Sequence, residues 1–410
     1  MRNDLIIREE EKLLLGLCRL SFDPKQKVRL KALAEAASDW KYFAELAGKH
    51  GVAALVYSNL EKLDLLQYIT PDIAGSLRSA LMMNMARNAG FSEAMADVLK
   101  HLNMQNIKTV LLKGLALELS VYGNSGLRQM TDVDVLVTRG NCLKARKILM
   151  DHGFASLPVK SVLYKAILAD LGKHLPTLTK NGFSVELHHE LFGAGKNMLT
   201  WLLYDNSYET EIKGEKTFIP KAPYFFLYLV KHLCLHEMNN ESQLRLYADL
   251  VVLIEKYRDE VINHDLLVDA KQAGMSENLA WRLEAIRDFW SISFPGWLNN
   301  FIDRWHNPAS IDRFVFFLKS PKDNPVQNRA QLYRHSLGEI PGFHRKLLFI
   351  LGDLFPTFEF MKKRYRCRSA WSTLFYYPLR WGKLWYLIKG SKVQRQESSK
   401  IIAVITNYKN

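Results

Sequence analysis

The 410-residue chain sets 56 Lys and Arg against 42 Asp and Glu, a formal net charge of +14, and 48% of its residues are hydrophobic. That balance excludes a disordered or fibrous chain and leaves room for two or three globular domains. Its basicity points to a polyanionic partner (nucleic acid, an anionic membrane face or phosphorylated substrates) without choosing among them.

Residues 1–104 read as an N-terminal helical region. Leu13, Leu14, Leu17 and Leu20 recur at helical spacing. Ser38 is the expected cap of a helix whose apolar stripe is Trp40, Phe43, Leu46 and Ala47. Gly51 should close it, and Val52–Leu63 opens another. Thr70-Pro71 starts a long helix running to Asn103. Its methionines Met82, Met83, Met85 and Met95 are expected in a helix-bundle core.

Residues 105–215 read as an α/β core. Ile107–Leu112 is a short buried strand, Lys113-Gly114 a turn, and Leu115–Tyr122 a helix ended by Gly123-Asn124. A polar loop leads to a strand over Asp132–Val137, followed by a helix over Asn141–His152. Lys173–Thr179 and Phe183–Leu191 are strand-like, with Lys180-Asn181-Gly182 as a hairpin turn. Residues 216–305 are a helical region packing on that core, with helices over Tyr224–His236, Gln243–Tyr257 and Asn278–Ile292. Residues 306–410 are a linker, polar from His306 to Arg334, and then a basic, aromatic helical region. Between 361 and 400 eleven Lys or Arg face Glu397 alone. The expected class is α+β.

Cys18, Cys142, Cys234 and Cys367 lie too far apart for zinc spacing and suit a reducing cytosol. The N-terminal stretch is too acidic for a signal peptide, and no run of 18 apolar residues exists. The expected location is cytoplasmic, with the tail as a peripheral contact on the inner membrane face.

Asp132 and Asp134 stand at i and i+2 on a strand, so both carboxylates share one face while Val133, Val135 and Val137 point into a core. Glu186, Ser184, His188 and Glu190 share a face of a later strand. Nucleotidyl and phosphoryl transfer need carboxylates converging from rigid strands to hold metal ions roughly 3.5–4 Å apart. Asp132-Val133-Asp134 alone describes a solvated edge strand equally well. The glycine turn before it and Glu186 after it make the set more specific. Lys113-Gly114 at a helix start suits phosphate, because backbone N–H groups and the helix dipole meet there. Arg128 suits bidentate phosphate binding or an ion pair. Glu186 is the third metal ligand or the general base, and His188 orients the acceptor or a phosphate. His174 is a further cleft candidate. His232 and His236 have metal spacing without HExxH and are expected to pack, and Asp249 is expected to pair with Arg245 or a cleft residue.

These motifs resemble the polymerase-β-like nucleotidyltransferase superfamily: a strand, a glycine turn opening a helix, h-D-h-D-h, then h-[D/E]-h. More closely the chain resembles a family of uncharacterised nucleotidyltransferases widespread in bacteria, over roughly residues 39–260. The matching segments are DWKYFAELAGKHGVAALVYSNL, LLKGLALELSVYG, LRQMTDVDVLV, KHLPTLTK, FSVELHHEL and LRLYADLVVLI. The resemblance implies a mixed sheet embedded in helices and transfer of a nucleoside monophosphate from an NTP with release of pyrophosphate. It implies Mg²⁺ (or Mn²⁺) on Asp132, Asp134 and Glu186, and phosphates on Lys113, Gly114, Arg128 and His188. It also implies a place in polysaccharide or other surface or secondary-product biosynthesis. The chain departs from the superfamily at Leu115, where a second small residue is usual.

The expected acceptor is a hydroxyl or phosphate on a small molecule, glycan, peptide or protein. Two other classes compete. One is a nucleic-acid-binding or RNA-modifying protein using the tail. The other is a catalytically silent scaffold, with residues 362–392 on an anionic membrane.

Overall fold

The structure is a computed structural model that describes residues 7–389, apart from 157–158, 193–197, 239–242, 322–332, 335–336, 339 and 368. Four helices, α1 (Glu9–Leu17), α2 (Pro24–Ala36), α3 (Trp40–Lys49) and α4 (Ala53–Lys62), precede the long α5 (Pro71–Asn103). Asp39, not Ser38, caps α3: its carboxylate accepts from the Tyr42 N–H at 2.9 Å. Glu10 takes the Ser38 and Asp39 N–H groups instead, at 3.1 and 2.9 Å.

Helix α5, 33 residues and so about 50 Å long, packs its C-terminal half along the sheet. Its buried stripe is Asn84, Asn88, Phe91, Met95, Val98, Leu99 and Leu102. The expected methionine core is corrected here: Met95 is fully buried, but Met82, Met83 and Met85 are exposed. A core stripe needs one helix face, and Met82 and Met83 lie around the cylinder from Asn84 and Asn88.

The sheet is mixed and seven-stranded, in the order β3-β4-β5-β2-β1-β7-β6. Its strands are β1 (Val110–Leu112), β2 (Val133–Leu136), β3 (Ala155–Ser156), β4 (Leu178–Lys180), β5 (Phe183–His188), β6 (Ser207–Ile212) and β7 (Glu215–Pro220). The central pair, β1 and β2, is antiparallel with Leu112 opposite Asp134. On the other side β2 runs parallel to β5 with Asp134 opposite Glu186 and Leu136 opposite His188. Every residue of β1 and β2 is buried, as strands covered on both faces require.

Three sequence expectations change. Of Lys173–Thr179, only the end from Leu178 joins a strand, while His174 makes an isolated antiparallel bridge to His188. The sheet runs past 215, because β7 pairs parallel with β1 through Phe218 and Val110. The hairpin joining β6 and β7 turns at Lys213 and Gly214, both with positive φ, as the first hairpin does at Asn181 and Gly182. Finally, part of the expected linker is a helix, Pro308–Lys319, with Phe314, Val315, Phe317 and Leu318 buried. Pro308 sits in the first turn, where proline starts a helix rather than breaking one.

Helices α6 (Lys113–Leu117), α7 (Arg139–Asp151), α8 (Met198–Asp205), α9 (Ala222–Met238) and α10 (Leu244–Lys256) complete the site's surroundings. Beyond them, Ser276–Trp290 is a further helix, starting earlier than the expected Asn278. Among the described residues no helix is long and apolar enough to cross a membrane. The tail forms helices Phe343–Leu354, Phe358–Tyr365 and Ala370–Lys389. Tyr377, Arg380 and Trp381 tie the last to the carbonyls of Pro356, Asp353 and Leu354 at 2.8, 2.9 and 2.8 Å. The rest of the basic run, from residue 390, lies outside the described residues.

Candidate active site

Strand β1 ends at Leu112, and the next residue, Lys113, adopts a left-handed backbone with φ 47° and opens α6. That turn throws its ammonium across to β2, 2.6 Å from Asp134 Oδ1. Gly114 follows because no side chain fits: a Cβ would lie 2.6 Å from Met130 Cγ and 2.7 Å from Arg128 Nη1. Leu115, where a small residue is usual, is buried under the turn.

The register of β2 and β5 sets the cluster. His188 Nε2 lies 2.7 Å from Asp134 Oδ1 and 3.4 Å from Glu186 Oε2. His174 Nε2 lies 3.6 Å from the same Glu186 oxygen, and the Thr177 hydroxyl donates to Glu186 Oε1 at 3.4 Å. The His188 Nδ1 is buried without a hydrogen-bond partner among the described residues. Burial works against charge on Asp134, but Lys113 and His188 overcome it and hold the carboxyl well below its usual range. Glu186 is lowered too, burial again being outweighed by His188 and His174. Asp132, one residue ahead of β2, goes the other way: burial and the charge of Asp134 raise it.

Asp134, Glu186 and His188 offer ligand atoms that all lie within 4.8 Å of one another. Two carboxylates and an imidazole suit a divalent cation, and the raised Asp132 beside them is a carboxyl short of positive charge. The residues therefore fit such an ion. The close set differs from the sequence expectation in one member, since His188 stands where Asp132 was expected.

In front of Asp132 and Asp134 lies a cleft of about 180 Å³ whose cationic or polar walls include Lys113, Arg128, Arg245, His232, His236 and Gln243, with Met130 and Leu246 as apolar members. Arg128 was expected on phosphate or in a surface ion pair. Its fork is instead spent on Asp249 of α10 in a buried bidentate pair, Nε and Nη2 each 2.8 Å from a carboxylate oxygen. Tyr122 donates to the same carboxylate at 2.9 Å.

Arg245, which the sequence suggested only as a partner for Asp249, faces the cleft and donates to the Gln129 carbonyl at 2.8 Å. Its Nε is buried without a partner among the described residues. Burial and the nearby Arg128 push it down to about 10. Lys173 is lowered as well, by burial and then by Lys113. His232 and His236 do line the cleft, with His232 held well below its usual value by burial. Sequence reasoning missed Arg245 and Lys173 as site residues: both lie in segments matched to the family, LRLYADLVVLI and KHLPTLTK, but neither is a carboxylate or part of the glycine turn. The only other signal was the Leu244–Ile254 helix itself, whose Arg245 and Asp249 are i,i+4.

The loop between α6 and β2 is laced at both sides. On α5, Asn84, Arg87 and Asn88 donate to the carbonyls of Gly126, Met130 and Arg128 at 3.1, 3.3 and 3.1 Å. They stand at i, i+3 and i+4, one face of the helix. Alternate loop carbonyls thus face α5, while that of Gln129 faces Arg245.

A mixed sheet whose central strands bring carboxylates together beside a glycine turn defines an α+β nucleotidyltransferase-like fold. The chain belongs to the family described as uncharacterised nucleotidyltransferase, whose sequence pattern matches residues 36–290. That span runs from the end of α2 past α10, so it includes the whole sheet and cleft. No curated protein matches the chain.

Proposed function

We propose that the protein transfers a nucleoside monophosphate from an NTP to a hydroxyl or phosphate acceptor, with a divalent cation, Mg²⁺ or Mn²⁺, held by Asp132, Asp134 and Glu186. The observation that carries this reading is the Asp134–Glu186 pairing across parallel strands, with ligand atoms of Asp134, Glu186 and His188 within 4.8 Å of one another and Asp132 lining the cationic cleft beside Asp134. When bound, the cation would neutralise the triphosphate and polarise the α-phosphoryl group. Lys113, the first turn of α6 and Arg245 hold phosphate oxygens. Glu186, kept ionised by His188 and His174, accepts the proton of the incoming hydroxyl. His188 steadies both carboxylates, and Arg128 acts through Asp249 to fix the loop that carries Asp132. The free cysteines Cys18, Cys142, Cys234 and Cys367 suit a cytoplasmic setting. An acceptor drawn from surface-glycan or secondary-product synthesis rests on the family resemblance.

The test is pyrophosphate release from each NTP with the Asp132→Asn, Asp134→Asn double variant. We expect a fall of roughly 10³-fold or more, the scale of losing a group that stabilises transition-state charge. Unchanged release in a folded variant overturns the site.

One observation favours an additional membrane contact. Trp371, Leu374, Phe375 and Leu379 follow helical spacing on the last helix and are all exposed, close to Lys362, Lys363 and Arg364 in sequence. Co-sedimentation with phosphatidylglycerol vesicles should weaken in a Trp371→Ser, Phe375→Ser variant. Equal sedimentation would remove this contact.

A further inference from the structure

A second cavity, of about 500 Å³, opens at the carboxyl ends of the parallel strands β2 and β5. Its walls are mainly apolar: Leu136 and Val137 from the end of β2, and Met198, Trp201 and Tyr204 from α8. The indole of Trp201 is 64% exposed and the Met198 side chain 40% exposed, so large apolar groups line space rather than protein. Thr138, Arg139, Glu190 and Thr200 add polar groups to that lining, and His189 is a fifth. His189 is only 2% exposed, yet neither Nδ1 nor Nε2 has a hydrogen-bond partner among the described residues. Buried imidazoles are ordinarily satisfied, and a ring with both nitrogens orphaned lacks a donor and an acceptor at once.

The place matters as much as the lining. Leu136 is two residues beyond Asp134 on the same strand, about 7 Å along it. His189 directly follows His188. Both cavities thus touch the strands that carry the carboxylates: the cleft toward α10 is lined by Asp132 and Asp134, and the mainly apolar cavity toward α8 by Leu136, Val137 and His189 at the strand ends. In open α/β sheets, ligands gather outside the carboxyl ends of the strands.

We propose that the α8 cavity binds the acceptor, a ring-bearing, largely apolar alcohol anchored through a hydroxyl on His189. A hydroxyl can bond one of the ring nitrogens, donating to the bare nitrogen or accepting from the one that carries the proton. The apolar body fills the space under Trp201, and a second hydroxyl reaches toward Asp134 and Glu186. That second oxygen forms a bond to the α-phosphorus as the bond from phosphorus to the bridging oxygen breaks. Pyrophosphate leaves with the electron pair, and the hydroxyl proton passes to Glu186.

The acceptor role rests on the nucleotidyl-transfer reading, so the binding test uses no nucleotide or metal. Calorimetry on the full chain compares 2-naphthol with 2-methoxynaphthalene, which lacks the donated hydrogen. We expect 2-naphthol to bind at one site, about tenfold or more tighter than the ether, the worth of one buried hydrogen bond. Trp201→Ala should weaken both probes by about tenfold; the indole is largely exposed, so its loss leaves the core intact. His189→Phe should make the two probes bind alike. No saturable binding, equal affinity of the two probes for the unaltered protein, or unchanged binding to Trp201→Ala overturns the proposal. Failure of the transfer reading would appear elsewhere, as NTP turnover that survives loss of Asp132 and Asp134.

Discussion

Gly114 has space for a hydrogen and nothing larger. A methyl there meets Met130 Cγ at 2.6 Å and Arg128 Nη1 at 2.7 Å, and Arg128 cannot retreat because Asp249 holds its fork. Gly114→Ala should therefore cost about 1–3 kcal/mol, the range for overpacking a tight site. Urea unfolding measures it, and turnover should fall further than stability because the displaced groups wall the cleft. The same residue shows what a sequence can disclose. Glycine at a strand–helix turn is legible, as are Asp132, Asp134 and Glu186, because a two-residue period fixes which side chains share a face. The pairing of Arg128 with Asp249 is not legible, since it joins residues 121 apart in sequence.

Between elements, the Arg128–Asp249 pair is the main tie from the loop before β2 to α10. Breaking a buried pair strands a charge, so Asp249→Ala should destabilise the fold by about 3–5 kcal/mol. An Arg128→Met, Asp249→Leu double variant should recover most of that stability without recovering activity, as parallel unfolding and pyrophosphate assays would show. Recovery of both would make the pair mere packing. At this scale legibility in the sequence is uneven. The long α5 was legible end to end from Pro71 and its capping context. The hairpin of β6 and β7 was missed although Lys213-Gly214 resembles the Asn181-Gly182 turn, because β6 is mostly exposed and carries little apolar alternation. Helix Pro308–Lys319 is hidden in the sequence by the polar stretch from His306 to Arg334 in which it starts.

Across the whole molecule, His50 joins three distant parts. It stands at the end of α3, accepts from the Leu244 N–H at 2.9 Å, and its other nitrogen bonds the Leu318 carbonyl at 2.8 Å. Both ring nitrogens are used as a neutral imidazole uses them, and burial lowers the group from 6.5 to about 4. The unfolded chain takes up this proton below 6.5 while the native one declines it until near 4. The contribution of His50 is thus complete above pH 6.5 and is lost as pH falls toward 4, up to about 3 kcal/mol. Unfolding free energies between pH 7 and 4.5 should show that slope, and His50→Gln should flatten it.

The loop leading to Asp132 is strung between two helices, with α5 holding the carbonyls of Gly126, Arg128 and Met130 and α10 holding Arg128 and the Gln129 carbonyl. A cord tied at alternate points to two posts reports any change in the distance between the posts. A slide of α10 against α5 must be taken up by the peptides just ahead of Asp132, at the mouth of the cleft. Occupancy of the cleft and the spacing of these two helices are in that sense one mechanical variable, and a spin label on each helix would read the first through the second.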